Sequence, residues 1–280
     1  MHGLAGCKSR LRVACGLALS GFTLLAWRPQ AAWVVSCFGD SHTEGIYGAP
    51  WVPDLQRRLR VECRNFGRNA WTAASVARRA DAAPGGEEAV VLAGTNDALL
   101  ELAWRAGNQG MLSIYRALNQ LPADYQPSQE AFAASFRHLL QAVKASRVAV
   151  LSLPPLGEAT SGEAAEVIAS YNRQLRDVVQ SDPRAQYVPF AEHLEGVSGE
   201  GFDASSAAFS QTIAQMYLHT GLRWLPGGPS FDSLAQRCGR EVVHDKIHLT
   251  EKSAGTLLEL VAGTLGRDVL SPTRLPSESR

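Results

Sequence analysis

The sequence alternates between short apolar runs and longer segments in which apolar residues recur with helical spacing. The short segments that read as strands cover 31–39, 60–67, 89–94, 147–155 and 185–190. The first, 31–39, is a continuous apolar run that ends at a glycine, which is typical of a strand buried on both faces, as in a parallel sheet. The pattern therefore predicts about five strands.

Helical periods separate these strands. Between the third and fourth strands, five apolar residues beginning at Phe132 recur at i, i+4, i+7, i+8 and i+11, which places them on one helix face. The same pattern occurs at 50–59, 164–179 and 250–265, where Thr250 is the expected N-cap of the last helix. Strands that alternate with helices predict an α/β fold, with a parallel central sheet and helices on both sides.

Most of the chain is expected to form one domain, 31–268, because 280 residues with 45% hydrophobic content suffice for a large core. Two aromatic-containing segments, near 101–127 and 195–240, do not fit the alternation. We interpret them either as insertions with small cores of their own or as walls of a pocket. A flexible C-terminal tail is expected at 269–280.

The N-terminal 30 residues have the character of a leader. Lys8, Arg10 and Arg12 precede an uncharged apolar segment, 13–27, which is short for a membrane span. A signal peptide, an uncleaved membrane anchor and an extension outside the fold all remain open, because no small-x-small cleavage site follows. We expect a protein that is exported (periplasmic or secreted) or membrane-anchored, with a cytoplasmic location as the alternative.

Charge and cysteine content narrow the classes of partner. Lys plus Arg and Asp plus Glu both number 27, and no basic stripe occurs, which argues against nucleic acid as a partner. The five cysteines form no C-x-x-C pair, so no zinc site is indicated. A disulfide between Cys63 and Cys238 remains open for an exported protein.

Four short polar patterns lie at predicted strand ends or before the last helix: GDSHT at 39–43, NFG at 65–67, GTND at 94–97 and HDKIHLT at 244–250. Ligands of parallel sheets bind at the carboxyl ends of the strands, so the first three patterns should share one edge. Each pattern alone is weak, and their order and position give them weight.

Ester hydrolysis requires a nucleophile, a base and a group that orients the base. Ser41 supplies the hydroxyl, and His248 is the best base because Asp245, three residues earlier, can accept its Nδ1–H from the same turn. His42 is adjacent to Ser41 but is not the expected base, because neighbouring side chains on an extended segment point to opposite faces.

The expected oxyanion donors are the backbone N–H groups of Ser41 and Gly67 and the side-chain amide of Asn96. His42 and Trp224 are candidate pocket residues. Trp224 lies in the second unassigned segment.

Taken together, Ser41 in GDSHT, Gly67 in NFG, Asn96 in GTND, and Asp245 with His248 in DKIH resemble the four sequence blocks of the SGNH hydrolases, also called GDSL-type esterases. The resemblance spans roughly 33–265. It implies a flavodoxin-like three-layer α/β/α sandwich, a Ser–His–Asp triad and a three-donor oxyanion hole, with neither cofactor nor metal.

We therefore predict a serine hydrolase that cleaves carboxylic esters of small molecules, lipids or carbohydrates through an acyl-serine intermediate, with membrane association through the N-terminal segment as an option. An acyltransferase with the same triad is the main alternative. A metal-dependent phosphoesterase and an inactive glycan-binding module are weaker ones.

Overall fold

A computed structural model describes residues 33–194 and 199–266 of the chain. The predicted leader, 1–30, and the predicted tail, 269–280, lie outside the described residues, so the expectations about export, anchoring and tail flexibility stay predictions. Among the described residues, no helix is long and apolar enough to cross a membrane.

The centre of the fold is a five-stranded parallel sheet with the order β2-β1-β3-β4-β5. This is the flavodoxin-like strand order, with a topological switch point between β1 and β3. The predicted α/β fold class is confirmed, although the strands are shorter than the apolar runs. The strands are β1 Val34–Gly39, β2 Glu62–Gly67, β3 Glu88–Leu92, β4 Arg147–Leu151 and β5 Ala185–Val188.

Helices cover both faces of the sheet because strand residues alternate between two apolar clusters. In β1, Val35 and Cys37 belong to one cluster and Phe38 to the other. The helices are α1 Ser41–Glu44, α2 Trp51–Leu59, α3 Ala73–Ala82, α4 Thr95–Arg105, α5 Gln109–Asn119, α6 Gln129–Ala142, α7 Glu163–Gln180, α8 Ser206–Arg223, α9 Phe231–Arg237 and α10 Glu251–Thr264. A short 3₁₀ helix covers Ala191–Leu194. Helices α3 to α7 contribute to the Phe38 cluster, and α2 and α10 to the other.

The two segments that the sequence pattern left unassigned are largely helical. The first contains the end of α4 and all of α5, and the second contains α8 and α9. Met111 and Leu112 of α5 are buried in the Phe38 cluster together with strand residues. This insertion therefore extends the main core instead of forming its own.

Asp97 joins two helices next to the sheet. Its Oδ2 accepts the backbone N–H of Ala73, the first residue of α3, at 2.8 Å, and the side chain is buried in the first turn of α4. Burial raises the pKa of Asp97 to about 7 despite this hydrogen bond, and the charge of nearby Asp40 adds to the rise. The Asp97 carboxyl group therefore keeps its proton to a higher pH in the folded protein than in the unfolded chain.

We expect the Asp97→Asn substitution to flatten the pH dependence of stability. A carboxyl group whose pKa is higher in the folded protein than in the unfolded chain stabilises the fold while it is protonated. This stabilisation is complete below the pKa of the unfolded chain, about 4, and is lost as the pH rises through the folded-state pKa of about 7. Between pH 4 and pH 8 the free energy of unfolding of wild type should fall relative to that of the variant, by on the order of 1–4 kcal/mol. Urea unfolding at several pH values measures this difference, and parallel curves would contradict the expectation.

Candidate active site

A tight turn at the end of β1 presents Ser41 at the carboxyl edge of the sheet. Asp40 is the N-cap of α1, and its Oδ1 accepts the His42 N–H at 3.1 Å. Gly39 allows the turn because a Cβ there would lie 2.2 Å from both the Leu92 carbonyl oxygen and Thr43 Oγ1. The position before the turn therefore requires glycine.

Asp245 and His248 lie on a loop that closes on itself. Val243 and Leu249 form an antiparallel bridge across its base. Inside the loop, Asp245 Oδ1 accepts the backbone N–H groups of Ile247 at 3.0 Å and His248 at 2.7 Å. One local turn therefore delivers both the carboxylate and the imidazole.

Ser41, His248 and Asp245 form a continuous hydrogen-bonded chain. Asp245 Oδ2 lies 2.7 Å from His248 Nδ1, and His248 Nε2 lies 2.9 Å from Ser41 Oγ. With Nδ1–H donating to the carboxylate, the neutral imidazole accepts the serine proton at Nε2. Burial alone would raise the pKa of Asp245, but the charge of His248 and the hydrogen bonds from its ring and backbone outweigh burial and hold this pKa well below its ordinary range. Asp245 is therefore ionised.

A second carboxylate supports the approach to this loop. Oε1 of the buried Glu158 accepts the backbone N–H groups of Glu241, Val242 and Val243, at 2.8, 2.5 and 3.1 Å. These donors immediately precede the loop that carries Asp245 and His248. Glu158 thereby restrains the direction from which the Asp245–His248 turn enters the site.

His244 is buried beside the triad and stays neutral. Its Nε2–H donates to the Tyr47 carbonyl oxygen at 2.7 Å, so its Nδ1 accepts a hydrogen bond from the Nδ1–H of His219 at 3.1 Å. Burial lowers the pKa of His244 to about 4, although the charge of Asp245 opposes the shift. No second imidazolium therefore competes with His248 for the Asp245 carboxylate near neutral pH.

The amide of Asn96 is oriented toward the site by one hydrogen bond. Its Nδ2 donates to the Trp71 carbonyl oxygen at 2.9 Å, which leaves the second amide hydrogen for a ligand. Ser41 is the first residue of α1, where backbone N–H groups have no intrahelical acceptor. Both groups are therefore available as oxyanion donors.

The structure does not support the expected donor at Gly67. Its N–H already donates to Asn65 Oδ1 at 2.9 Å, and Gly67 does not line the cavity beside Ser41. Glycine is required there for packing, since a Cβ would lie 2.3 Å from the Glu44 nitrogen. Ala70, three residues further on, lines that cavity instead, and within the described residues its N–H makes no hydrogen bond.

Ala70 has a left-handed backbone conformation that the sequence pattern does not predict. Its φ of 62° lies in the left-handed region, which costs a non-glycine residue roughly 1–2 kcal/mol. Such strain concentrates at functional sites. We assign the third oxyanion donor to the Ala70 N–H in place of the Gly67 N–H.

Neither His42 nor Trp224 lines the cavity, so the expectation that they form the pocket is wrong. The His42 side chain is buried, and neither ring nitrogen has a hydrogen-bond partner among the described residues. Burial lowers the pKa of His42 to about 3, and the charge of His248 adds to the shift. Trp224 is 57% exposed, and its indole N–H donates to the Ile46 carbonyl oxygen.

The cavity beside the triad is walled mainly by apolar side chains. Its volume is about 210 Å³, and Ser41, Asn96 and His248 lie in its lining. The apolar wall comes from α4, α5 and α8 and includes Leu99, Ile114, Leu118, Phe209, Ile213 and Met216. Both insertions therefore contribute to the wall of the site.

A larger cavity of about 450 Å³ is lined by residues such as Leu156, Ile168 and Leu194 and includes none of the triad. The candidate active site is therefore the smaller cavity, because Ser41 and His248 lie in its lining. Over residues 33–194 and 199–266, no group of three or more His, Cys, Asp or Glu side chains is arranged to hold a metal ion. Cys63 and Cys238 are free thiols, so the structure does not contain the disulfide that the sequence left open.

Known proteins resemble this chain in sequence pattern and in fold. The family described as "GDSL-like Lipase/Acylhydrolase family" matches residues 37–254. LAE5, an α/β hydrolase from the metagenome of Lake Arreo in Spain, is 16% identical over 84% of this chain and 95% of its own, with a TM-score of 0.51. Axe2, an acetylxylan esterase from Geobacillus stearothermophilus, is 13% identical over 86% of this chain and 97% of its own, with a TM-score of 0.50. These likenesses show the fold, and no curated protein matches the sequence.

We expect the Gly67→Ala and Ala70→Gly substitutions to have opposite effects on stability. At Gly67 a methyl group meets backbone atoms of α1, so the free energy of unfolding should fall by about 1–3 kcal/mol. At Ala70, glycine removes the left-handed strain, and the free energy should rise by up to about 1 kcal/mol. Thermal unfolding of both variants measures the contrast, and a destabilised Ala70→Gly variant would contradict the strain assigned to Ala70.

Proposed function

The chain belongs to the GDSL-like lipase/acylhydrolase family and is a hydrolase that acts on esters, and we propose that it works through an acyl-serine intermediate on Ser41. The observation that carries the proposal is the hydrogen-bonded chain from Asp245 through His248 to Ser41, with distances of 2.7 and 2.9 Å. Both distances lie within the 2.6–3.2 Å range that general-base catalysis requires.

In the acylation step, Ser41 Oγ attacks the ester carbonyl carbon while His248 Nε2 takes the serine proton. The carbonyl oxygen becomes an oxyanion, which the Ser41 and Ala70 N–H groups and the free Asn96 amide hydrogen stabilise. The carbon–oxygen bond to the alcohol then breaks, and His248 returns its proton to the departing alkoxide. The products are a free alcohol and an acyl group on Ser41.

In the deacylation step, water replaces the serine hydroxyl as the nucleophile. His248 removes a proton from the water as its oxygen attacks the acyl carbon, and then protonates Ser41 Oγ as the carboxylic acid leaves. Asp245 stabilises the imidazolium in both steps. The family's description as acylhydrolases favours water as the acyl acceptor over the alternative of transfer to another hydroxyl.

We further propose that the acyl group of the substrate is apolar and longer than acetyl. The wall formed by Leu99, Phe209, Ile213 and Met216 offers an acyl chain only dispersion contacts and release of water. Burial of each methylene group contributes roughly 0.8 kcal/mol.

We expect a fluorophosphonate probe to label the wild-type chain and to fail on the Ser41→Ala and His248→Ala variants. The probe forms a bond between phosphorus and Ser41 Oγ and releases fluoride, and it reacts only with an activated serine. Hydrolysis of p-nitrophenyl esters should fall by at least about 10⁴-fold in both variants. Mass spectrometry of the labelled peptide locates the modified residue.

Ser113→Ala and His138→Ala are matched controls, since both residues are exposed and lie outside the cavity. Both control variants should be labelled like wild type. A folded wild-type protein that takes no label, or one that takes it away from Ser41, would contradict the proposed mechanism.

We expect kcat/KM for p-nitrophenyl esters to rise from acetate to hexanoate, by about fourfold for each buried methylene group. Ile114→Asp should abolish much of this rise because it places a carboxylate in the cavity wall. Leu225→Asp is the matched control, since Leu225 and Ile114 are both 58% exposed and Leu225 does not line the cavity. A wild-type kcat/KM that peaks at acetate would contradict the proposed acyl preference.

A further inference from the structure

Asn119, the last residue of α5, makes hydrogen bonds with the segment that follows β2. Its side chain is fully buried. Oδ1 accepts the Thr72 N–H at 2.8 Å, the Thr72 hydroxyl at 3.2 Å and the Ser75 hydroxyl at 2.7 Å. Nδ2 donates to the carbonyl oxygens of Ala70 at 2.9 Å and Tyr115 at 3.0 Å. Every donor and acceptor of the carboxamide is therefore in use.

This set of contacts fixes the backbone of the segment from both sides. The Thr72 and Ser75 contacts hold the start of α3, and the Ala70 contact holds the carbonyl group of the strained residue itself. A residue in the left-handed region persists there only when its surroundings over-determine the conformation. The Asn119 amide supplies that restraint from a different helix.

The restrained segment carries one proposed oxyanion donor and orients another. Ala70 lines the cavity with Ser41, and the carbonyl oxygen of the next residue, Trp71, accepts one amide hydrogen of Asn96. A shift of this segment would move the Ala70 N–H and also release Asn96 from its orientation. Oxyanion donors act only when they are held at the position where negative charge develops.

We infer that Asn119 is a positioning residue of the active site, which holds the segment 70–75 so that the Ala70 N–H and the Asn96 amide face the oxyanion. The inference rests on the proposed serine mechanism and gives the inserted helix α5 a role in it. Asn119 itself does not line the cavity. Its effect on the reaction is transmitted through Ala70 and Trp71.

The test compares Asn119→Ala with Asn108→Ala. Asn108 is the N-cap of the same helix, and it is also buried and hydrogen-bonded through both ends of its amide, to Met111 and Ala204. Within the described part of the chain, its side chain makes no hydrogen bond to the segment 70–75. The pair therefore separates loss of a buried amide in α5 from loss of the contact with the oxyanion donors.

We expect kcat of Asn119→Ala for a p-nitrophenyl ester to fall by about 10²–10³-fold, the effect of losing one oxyanion donor, with little change in KM. The affinity for an apolar trifluoromethyl ketone, which forms a tetrahedral adduct with the serine, should fall in parallel with kcat/KM. Asn108→Ala should lose thermal stability but keep the wild-type kcat, measured at a temperature at which both variants are folded.

A second substitution adds a readout that a purely structural role would not change. Adding Ala70→Gly to Asn119→Ala should restore part of the lost kcat, because glycine adopts the left-handed conformation without the cost that Ala70 bears. If Asn119→Ala does not fold, Asn119→Asp replaces it. Asp keeps the acceptor oxygen and removes the donor to the Ala70 carbonyl, so the same fall in kcat is expected.

The inference is overturned if Asn119→Ala or Asn119→Asp keeps the wild-type kcat, or if both asparagine positions lower kcat equally. These outcomes differ from failure of the serine mechanism, in which the wild-type chain itself would show neither probe labelling nor ester hydrolysis.

Discussion

The carboxylate of Asp245 binds its own loop and the imidazole of His248 at the same time. One oxygen accepts the N–H groups of Ile247 and His248, and the other accepts the ring N–H of His248. The loop conformation, the tautomer of His248 and the direction of its Nε2 toward Ser41 all follow from this one buried ion. The rest of the site is arranged around it, and Glu158 directs the chain into the loop from outside.

Much of the fold and half of the site could be predicted because their signals are local. Buried parallel strands read as apolar runs, and the Asp245–His248 spacing places both groups on one turn whatever surrounds them. Helix α3 escaped prediction because alanines form most of its buried face and leave little hydrophobic contrast. The sequence predicts the third oxyanion donor at Gly67 from the NFG pattern, whereas in the structure close packing against α1 explains that glycine.

The remaining errors concern long-range geometry. His42 follows Ser41 directly, yet its ring turns into the protein, and nothing in the sequence tells which face of a four-residue helix is buried. Trp224 lies in an insertion that does supply pocket residues, but its own ring stays at the surface. The hydrogen bonds of Asn119 join positions more than 40 residues apart, and a lone asparagine at a helix end reads as an ordinary terminus.

Helix α5 combines two tasks that an enzyme engineer would prefer to separate. Its outer residues, such as Ile114, line the cavity beside Ser41, while its last residue, Asn119, contacts the segment that carries Ala70. Exchanging the whole helix to redesign selectivity would therefore also alter turnover. Substituting the wall positions one at a time, while Asn119 and the length of the helix stay unchanged, would keep the two tasks separate.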